Sequence, residues 1–209
     1  MAAIDLLLVL AAYLVGSLPV GLVVGRLRGV DLREHGSRNI GATNAGRVLG
    51  RPWFHVVFVL DFAKGFVPAL LVSRYWSGDG LAAPRLALAT GIAAVVGHVF
   101  SLFLRFRGGK GVATGAGLFA ALAPLPTVLA FAAWLVVARA SGFVSLASVV
   151  AAVALPLLCW LLPRWKWCTV DAGVQWASLL VGALIVVRHR ANLRRLLQGE
   201  EPRSRPQAS

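Results

Sequence analysis

Long apolar runs recur along this chain, at roughly 3–25, 53–75, 85–104, 112–139, 143–162 and 172–188. Several reach the roughly 20 residues that an α-helix needs to cross a hydrocarbon core of about 30 Å. A membrane β-barrel would instead alternate apolar and polar residues in segments of about ten, which these runs do not. With 58% apolar and 14% charged residues over 209 positions, the chain lies outside the range of soluble domains. Pro124-Leu-Pro126 interrupts the longest run and predicts two short helices joined by a tight turn. The expected fold is all-α: a polytopic membrane bundle of seven transmembrane helices, forming one domain over 1–209 without internal repeat. Polar segments at about 26–52, 105–114, 139–148 and 188–209 link or follow the spans.

Charge placement predicts the orientation. The segments 26–51, 105–110 and 188–205, with Arg139, hold sixteen of the 21 Lys and Arg residues; 74–85 and 164–166 hold four, and Lys64 is the other. Positive residues collect on the cytoplasmic side, so seven spans place the N-terminus outside and the C-terminus in the cytoplasm. Trp76, Trp160, Trp165 and Trp167 fall near the outer boundary, as an aromatic belt requires. Topology and anionic lipid account for the net charge of +13, so nucleic acid is not expected as a partner. The first run lacks a basic leader region and a cleavage site and reads as a retained span. Cys159 and Cys168 have neither metal-ligand spacing nor pairing geometry, so no disulfide, metal or cofactor is expected.

Three polar clusters stand out. The first, Glu34 to Arg47, is rich in small polar residues and glycine; it offers unshielded backbone N–H groups, hydroxyls, amides and guanidiniums, the surroundings a phosphate oxygen needs. The second, Arg105 to Gly117, runs from a glycine-rich turn with Lys110 into a helix carrying Thr114 in its first turn. It departs from the Walker pattern, because Gly111 follows Lys110 where Ser or Thr is required, so nucleotide hydrolysis is not expected. A helix N-terminus there still attracts an anion, whereas Gly115 and Gly117 read as sites of close helix approach. In the third, Arg188 to Glu201, helical spacing puts His189 and Asn192 on one face, where they either meet a ligand or belong to an amphipathic juxtamembrane helix. Arg194, Arg195, Arg203 and Arg205 read as contacts to lipid headgroups.

A weaker element is Ser141 to Ser148, where Ser145 and Ser148 share a face, although membrane serines often bond only their own helix. Asp61 and Lys64, at i and i+3 within the second span, are expected to neutralise each other as a structural pair. His35, His55 and His98 have no acid at useful sequence spacing.

Gly36-Ser-Arg-Asn-Ile-Gly-Ala-Thr-Asn44 with Arg47, Gly97-His-Val-Phe with Arg107-Gly-Gly-Lys-Gly-Val-Ala-Thr114, and His189 to Glu201 together resemble the bacterial acyl-phosphate-dependent glycerol-3-phosphate acyltransferases. The resemblance spans nearly the whole chain with the motifs in family order. It implies a multi-pass enzyme of the bacterial inner membrane, its active site facing the cytoplasm. That enzyme moves a fatty acyl group from acyl phosphate to the 1-hydroxyl of glycerol 3-phosphate, giving lysophosphatidic acid and phosphate at the first step of phospholipid synthesis.

Carried over residue by residue, the resemblance makes Lys110, Arg47 and Ser37 the catalytic candidates. Ser37, Arg47, His189 and Asn192 would hold glycerol 3-phosphate, with Asn39, Thr43 and Asn44 of the same motif among the substrate-binding residues. Gly108, Gly109, Gly111 and Thr114 would cradle the acyl-phosphate head, with Lys110 between the two phosphates, and Ser145 and Ser148 match a serine motif. Three positions depart from the family: Arg38 where glycine is frequent, Ser101 where proline is common, and Gly142 where an arginine usually precedes the aromatic residue. Arg139, one turn earlier, is the candidate to replace that arginine.

An acyl phosphate has a good leaving group, so direct attack by the glycerol hydroxyl is expected once two anions are held together. The His-x-x-x-x-Asp motif of other glycerolipid acyltransferases is missing, since Asp61 lies six residues after His55. No acyl-enzyme is expected, and a substrate phosphate oxygen would take the proton. The expected partners are glycerol 3-phosphate, acyl phosphate and membrane lipid, and the expected state is a monomer. The rival readings are a transporter of phosphorylated metabolites and a scaffold for lipid enzymes. Anion-binding clusters on a single predicted side speak against a carrier, and Gly-Gly-Lys-Gly against a scaffold.

Overall fold

The computed structural model describes residues 2–78 and 80–203; Arg205 lies outside them. Among the described residues the secondary structure is entirely helical, as it must be where no water satisfies a backbone in hydrocarbon. The chain divides into two compact units, Met1–Leu122 and Ala123–Ser209.

The first unit contains α1 (Ala3–Ser17), α2 (Val20–Leu27), α3 (Ala42–Leu49), α4 (Arg51–Tyr75), α5 (Ala83–Val99), a 3-10 turn (Leu102–Leu104) and α6 (Val112–Leu122). Pro19 separates α1 from α2: it has no N–H and forces Leu18 out of the helical region, to φ −55° and ψ 120°. The break leaves carbonyls at the end of α1 without helical partners. Lys64 Nζ takes that of Leu18 at 2.5 Å, and Ser101 Oγ donates to that of Ser17 at 2.5 Å. An ammonium is well placed there, at the negative end of a helix dipole.

Within this unit α5 packs on α1 and α4, and α6 packs on α4 and α5. Between membrane helices the driving force is close van der Waals fit, which small residues permit. Gly16 and Gly97 join α1 to α5, Gly65 and Gly117 join α4 to α6, and a Cβ on any of the four would overlap facing backbone.

The second unit contains α7 (Pro124–Ser141), α8 (Val144–Arg164), α9 (Ala172–Arg188) and α10 (Arg190–Leu197), with α8 packed against the other three. Gly142, at φ 75°, ends α7 in the left-handed conformation that suits glycine. Gln175 Nε2 donates to the Cys159 carbonyl at 3.1 Å and ties α9 to α8.

Five helical segments among the described residues are long and apolar enough to cross a bilayer: Ala3–Leu27, Arg51–Tyr75, Ala83–Leu104, Pro124–Ser141 and Val144–Arg164. Ala172–Arg188 with Arg190–Leu197, bent by 53°, makes a sixth if counted as one span. The seven expected segments are all helical, but they are not all of spanning length. The helix Val112–Leu122 has 11 residues, about 16 Å at 1.5 Å per residue. The two helices expected in 112–139 are present, but only the first is short, because α7 has 18 residues. The chain breaks at Ala123, and Pro124 and Pro126 occupy the first turn of α7, where a missing N–H costs nothing.

Candidate active site

The first polar cluster is a folded loop anchored on Asn44, which is 1% exposed. Its Nδ2 donates to the carbonyls of Leu32 and His35 at 3.1 and 3.0 Å, and its Oδ1 accepts the Ser37 amide at 2.8 Å. The sequence reading of Asn44 as a substrate ligand therefore needs correction: its amide is committed to building the loop. Gly36, at φ 58°, passes so close to Asn44 Oδ1 that a side chain there would overlap it. Asn39 Oδ1 accepts the Gly41 amide at 2.9 Å and shapes the entry to α3. Arg33 clasps Asp31 at 2.6 Å, and the hydrogen bonds from its guanidinium and backbone hold the Asp31 carboxyl down at about 2. On this scaffold Ser37, Arg38 and Arg47 are exposed and Thr43 is half-buried.

The second cluster folds back over the end of α5. Arg105 and Phe106 take left-handed backbone conformations, at φ 51° and 63°, and reverse the chain. The amides of Gly108 and Gly109 then donate to the carbonyls of Val99 and His98 at 3.1 and 3.0 Å. Those two N–H groups are spent within the protein. Lys110 and Gly111, at φ 85°, follow and lead the chain into the first turn of α6. Thr114 is fully buried and its hydroxyl donates to the Asp61 carbonyl at 2.9 Å, which makes it a tie between α6 and α4 and not a phosphate ligand.

Beneath this turn lie the charges of α4. Lys64 Nζ and Asp61 Oδ1 are 2.7 Å apart, the expected pair, and His98 Nδ1 is 3.6 Å from the same oxygen. His98 has no acid nearby in sequence; folding brings it one. Its one sequence signal was its place in the Gly97-His-Val-Phe motif.

In the second unit, His189 is 3% exposed and its Nδ1 lies 2.8 Å from the Ile185 carbonyl. A carbonyl only accepts, so Nδ1 is the nitrogen that donates to it. Asn192 Nδ2 donates to Glu201 Oε1 at 2.6 Å, and Arg195 Nε donates to Glu201 Oε2 at 2.8 Å. The Ser145 hydroxyl approaches the same carboxylate without a well-formed hydrogen bond. Burial pushes the Glu201 carboxyl up, but hydrogen bonds from these donors outweigh it and leave it below its ordinary value. Sequence reasoning missed Glu201 as the hub of this group. Ser148 donates to Val144 at 2.8 Å and accepts from Trp134 Nε1 at 3.2 Å, so its role is internal to α7 and α8. Where family members carry an arginine, Gly142 is flanked by Arg203, whose guanidinium lies 5.5 Å from the Phe143 ring centroid.

These features define a multi-pass helical membrane protein with ordered polar motifs at its helix ends. The chain belongs to the glycerol-3-phosphate acyltransferase family, whose model matches residues 6–199. The glycerol-3-phosphate acyltransferase of Aquifex aeolicus is 41% identical over 198 residues, covering 95% of this chain and 98% of the relative. That of Desulforudis audaxviator is 44% identical over 209 residues, covering 97% and 98%. Two crystal structures of PlsY (YgiH), an integral membrane glycerol 3-phosphate acyltransferase, superpose on the fold. The glycerol 3-phosphate form has a TM-score of 0.84 at 41% identity, covering 95% of this chain and 94% of that one. The lysophosphatidic acid form has a TM-score of 0.82 at 40% identity, with the same coverage. Family membership sets aside the transporter and scaffold readings.

Proposed function

We propose that this protein transfers a fatty acyl group from acyl phosphate to the 1-hydroxyl of glycerol 3-phosphate, as a monomer in the bacterial inner membrane. The observation that carries this reading is the likeness, at about two-fifths identity over nearly the whole chain, to a membrane acyltransferase in both a glycerol 3-phosphate and a lysophosphatidic acid form. Counting α6 and α9 as membrane segments gives seven, with the N-terminus outside and the polar motifs at the cytoplasmic face; the distribution of Lys and Arg supports that orientation.

In this reading Arg47 and Ser37 hold glycerol 3-phosphate, with Asn39 and Thr43 beside them on the loop; His189 and Asn192 keep the substrate-binding role that the family resemblance implies for the third motif. Lys110, Gly111 and the first turn of α6 receive the acyl-phosphate head, where a helix dipole and an ammonium both favour an anion. Gly108 and Gly109 shape that seat. The glycerol oxygen attacks the acyl carbonyl carbon, and a new C–O bond forms. The bond between the acyl carbon and the bridging oxygen breaks, phosphate leaves with that oxygen and the electron pair, and a substrate phosphate oxygen takes the hydroxyl proton. No acyl-enzyme forms. Lys110 and Arg47 act by cancelling charge that would otherwise keep the reactants apart.

The test is formation of lysophosphatidic acid by purified protein given glycerol 3-phosphate with acyl phosphate, acyl-CoA or acylated acyl carrier protein in parallel, with release of inorganic phosphate as a second readout for the acyl-phosphate arm. Turnover with acyl phosphate alone is expected, and turnover only with a thioester would overturn the reading. Lys110→Ala and Arg47→Ala should each lose about 100-fold or more, since each removes a charge-assisted contact at a developing charge.

A further inference from the structure

We propose that His98 and Asp61 are positioning residues for the acyl-phosphate end of the reaction, setting the height of the Gly108-Gly109-Lys110 turn. This rests on the reading of Lys110 and its turn as the acyl-phosphate seat. The turn lies directly on His98: Gly109 donates its amide to the His98 carbonyl at 3.0 Å, and a Cβ on Gly109 would overlap His98 Nε2. The imidazole is therefore the floor on which the backbone before Lys110 rests. That floor is fixed from below, because His98 Nδ1 is 3.6 Å from Asp61 Oδ1 and Lys64 holds the same oxygen at 2.7 Å. Lys64 is in turn anchored on the Leu18 carbonyl at the broken end of α1.

Asp61 also governs the other end of the segment. Its backbone carbonyl receives the Thr114 hydroxyl at 2.9 Å, so the chain is referenced to one residue of α4 both before Lys110, through His98, and after it, through Thr114. His98, Asp61 and Lys64 are each at most 6% exposed. Joining α4 to α5 and α6 does not require them: apolar side chains would do so without the desolvation cost of buried charge. What apolar side chains would not supply is a stiff polar platform under a turn whose displacement by an ångström is costly to reaction geometry.

The test varies each substrate against saturating concentrations of the other, using full-length protein in lipid nanodiscs and phosphate release as readout. His98→Ala is expected to raise KM for acyl phosphate about tenfold while KM for glycerol 3-phosphate stays within about twofold. Gly109→Ala, which lifts the turn off an intact ring, should show the same split. The double variant Gly109→Ala/His98→Ala should lose less than the product of the two, because the methyl enters space the ring vacated. Should His98→Ala not accumulate, His98→Asn and Gly109→Ala are read by the same split. Equal changes in both KM values, wild-type kinetics in the folded variants, or strictly multiplicative losses would overturn the proposal. Lys110→Ala separates the two ideas. If it retains wild-type kinetics toward acyl phosphate, the seat itself is wrong; if it is inactive while His98 and Gly109 variants behave as wild type, only the positioning role falls.

Discussion

Asn192 Nδ2 donates to Glu201 Oε1 across 2.6 Å, so the carboxylate just past α10 folds back onto the helix face that carries the third motif. Arg195 shares that carboxylate, whose side chain is 6% exposed. Glu201→Gln places an amide donor against donors and is expected to cost about 1–3 kcal/mol at neutral pH. The sign of the pH dependence follows from the lowered folded value: the stabilisation is present above the ordinary value of 4.5 and is lost as pH falls through the folded one. Thermal melts in detergent should therefore separate wild type from Glu201→Gln at pH 7 and bring the two together in acid. A gap that stays constant below the folded value would contradict this account.

Asn44 satisfies two carbonyls and one amide of the first loop from a buried position. Asn44→Ala leaves all three without partners, and a loss of about 3 kcal/mol is expected. Asn44→Asp keeps the acceptor for Ser37 but sets a carboxylate against the Leu32 and His35 carbonyls, so it should be no better than alanine. If Asn44 instead acted on substrate from an intact loop, both variants would melt as wild type does and lose activity only.

That distinction shows where the sequence was legible. Helical class, the approximate extent of each apolar segment and the three polar motifs could be read from run length and residue type, because those depend on local composition. The pairing of Asp61 with Lys64 could be read too, since i and i+3 lie on one helix face. What stayed hidden depended on contacts between distant positions. His98 meets Asp61, Thr114 spends its hydroxyl on Asp61, and Gly108 and Gly109 spend their amides on α5. A motif reading counts each polar group as available to a ligand, and the fold decides which have already been used.

Arg38 occupies a left-handed conformation, at φ 57°, within the first loop. Family members often have glycine there, and glycine adopts that region without the Cβ clash an arginine incurs. Arg38→Gly is therefore expected to stabilise the protein by about 1 kcal/mol, seen as a higher melting temperature. The exposed side chain leaves little packing to lose. A lower melting temperature would mean that the guanidinium makes up for the strain.

Gly142 and Arg203 bear on the arginine that family members carry before the aromatic residue. At φ 75°, position 142 is strained for any side chain, and the Cδ of Arg203 would lie 3.6 Å from a Cβ built there. Arg203 then carries its guanidinium over the Phe143 ring, a contact worth about 0.5–1 kcal/mol at an exposed site. Arg139, the substitute suggested by sequence spacing, stands exposed in the last turn of α7. If a guanidinium near Phe143 serves substrate phosphate, Arg203→Ala should raise KM for glycerol 3-phosphate about tenfold, as loss of one charge-assisted hydrogen bond of about 1.4 kcal/mol would. Arg139→Ala should stay near wild type in the same assay. The opposite pattern would return the role to Arg139 and leave Arg203 as a cover for the glycine turn.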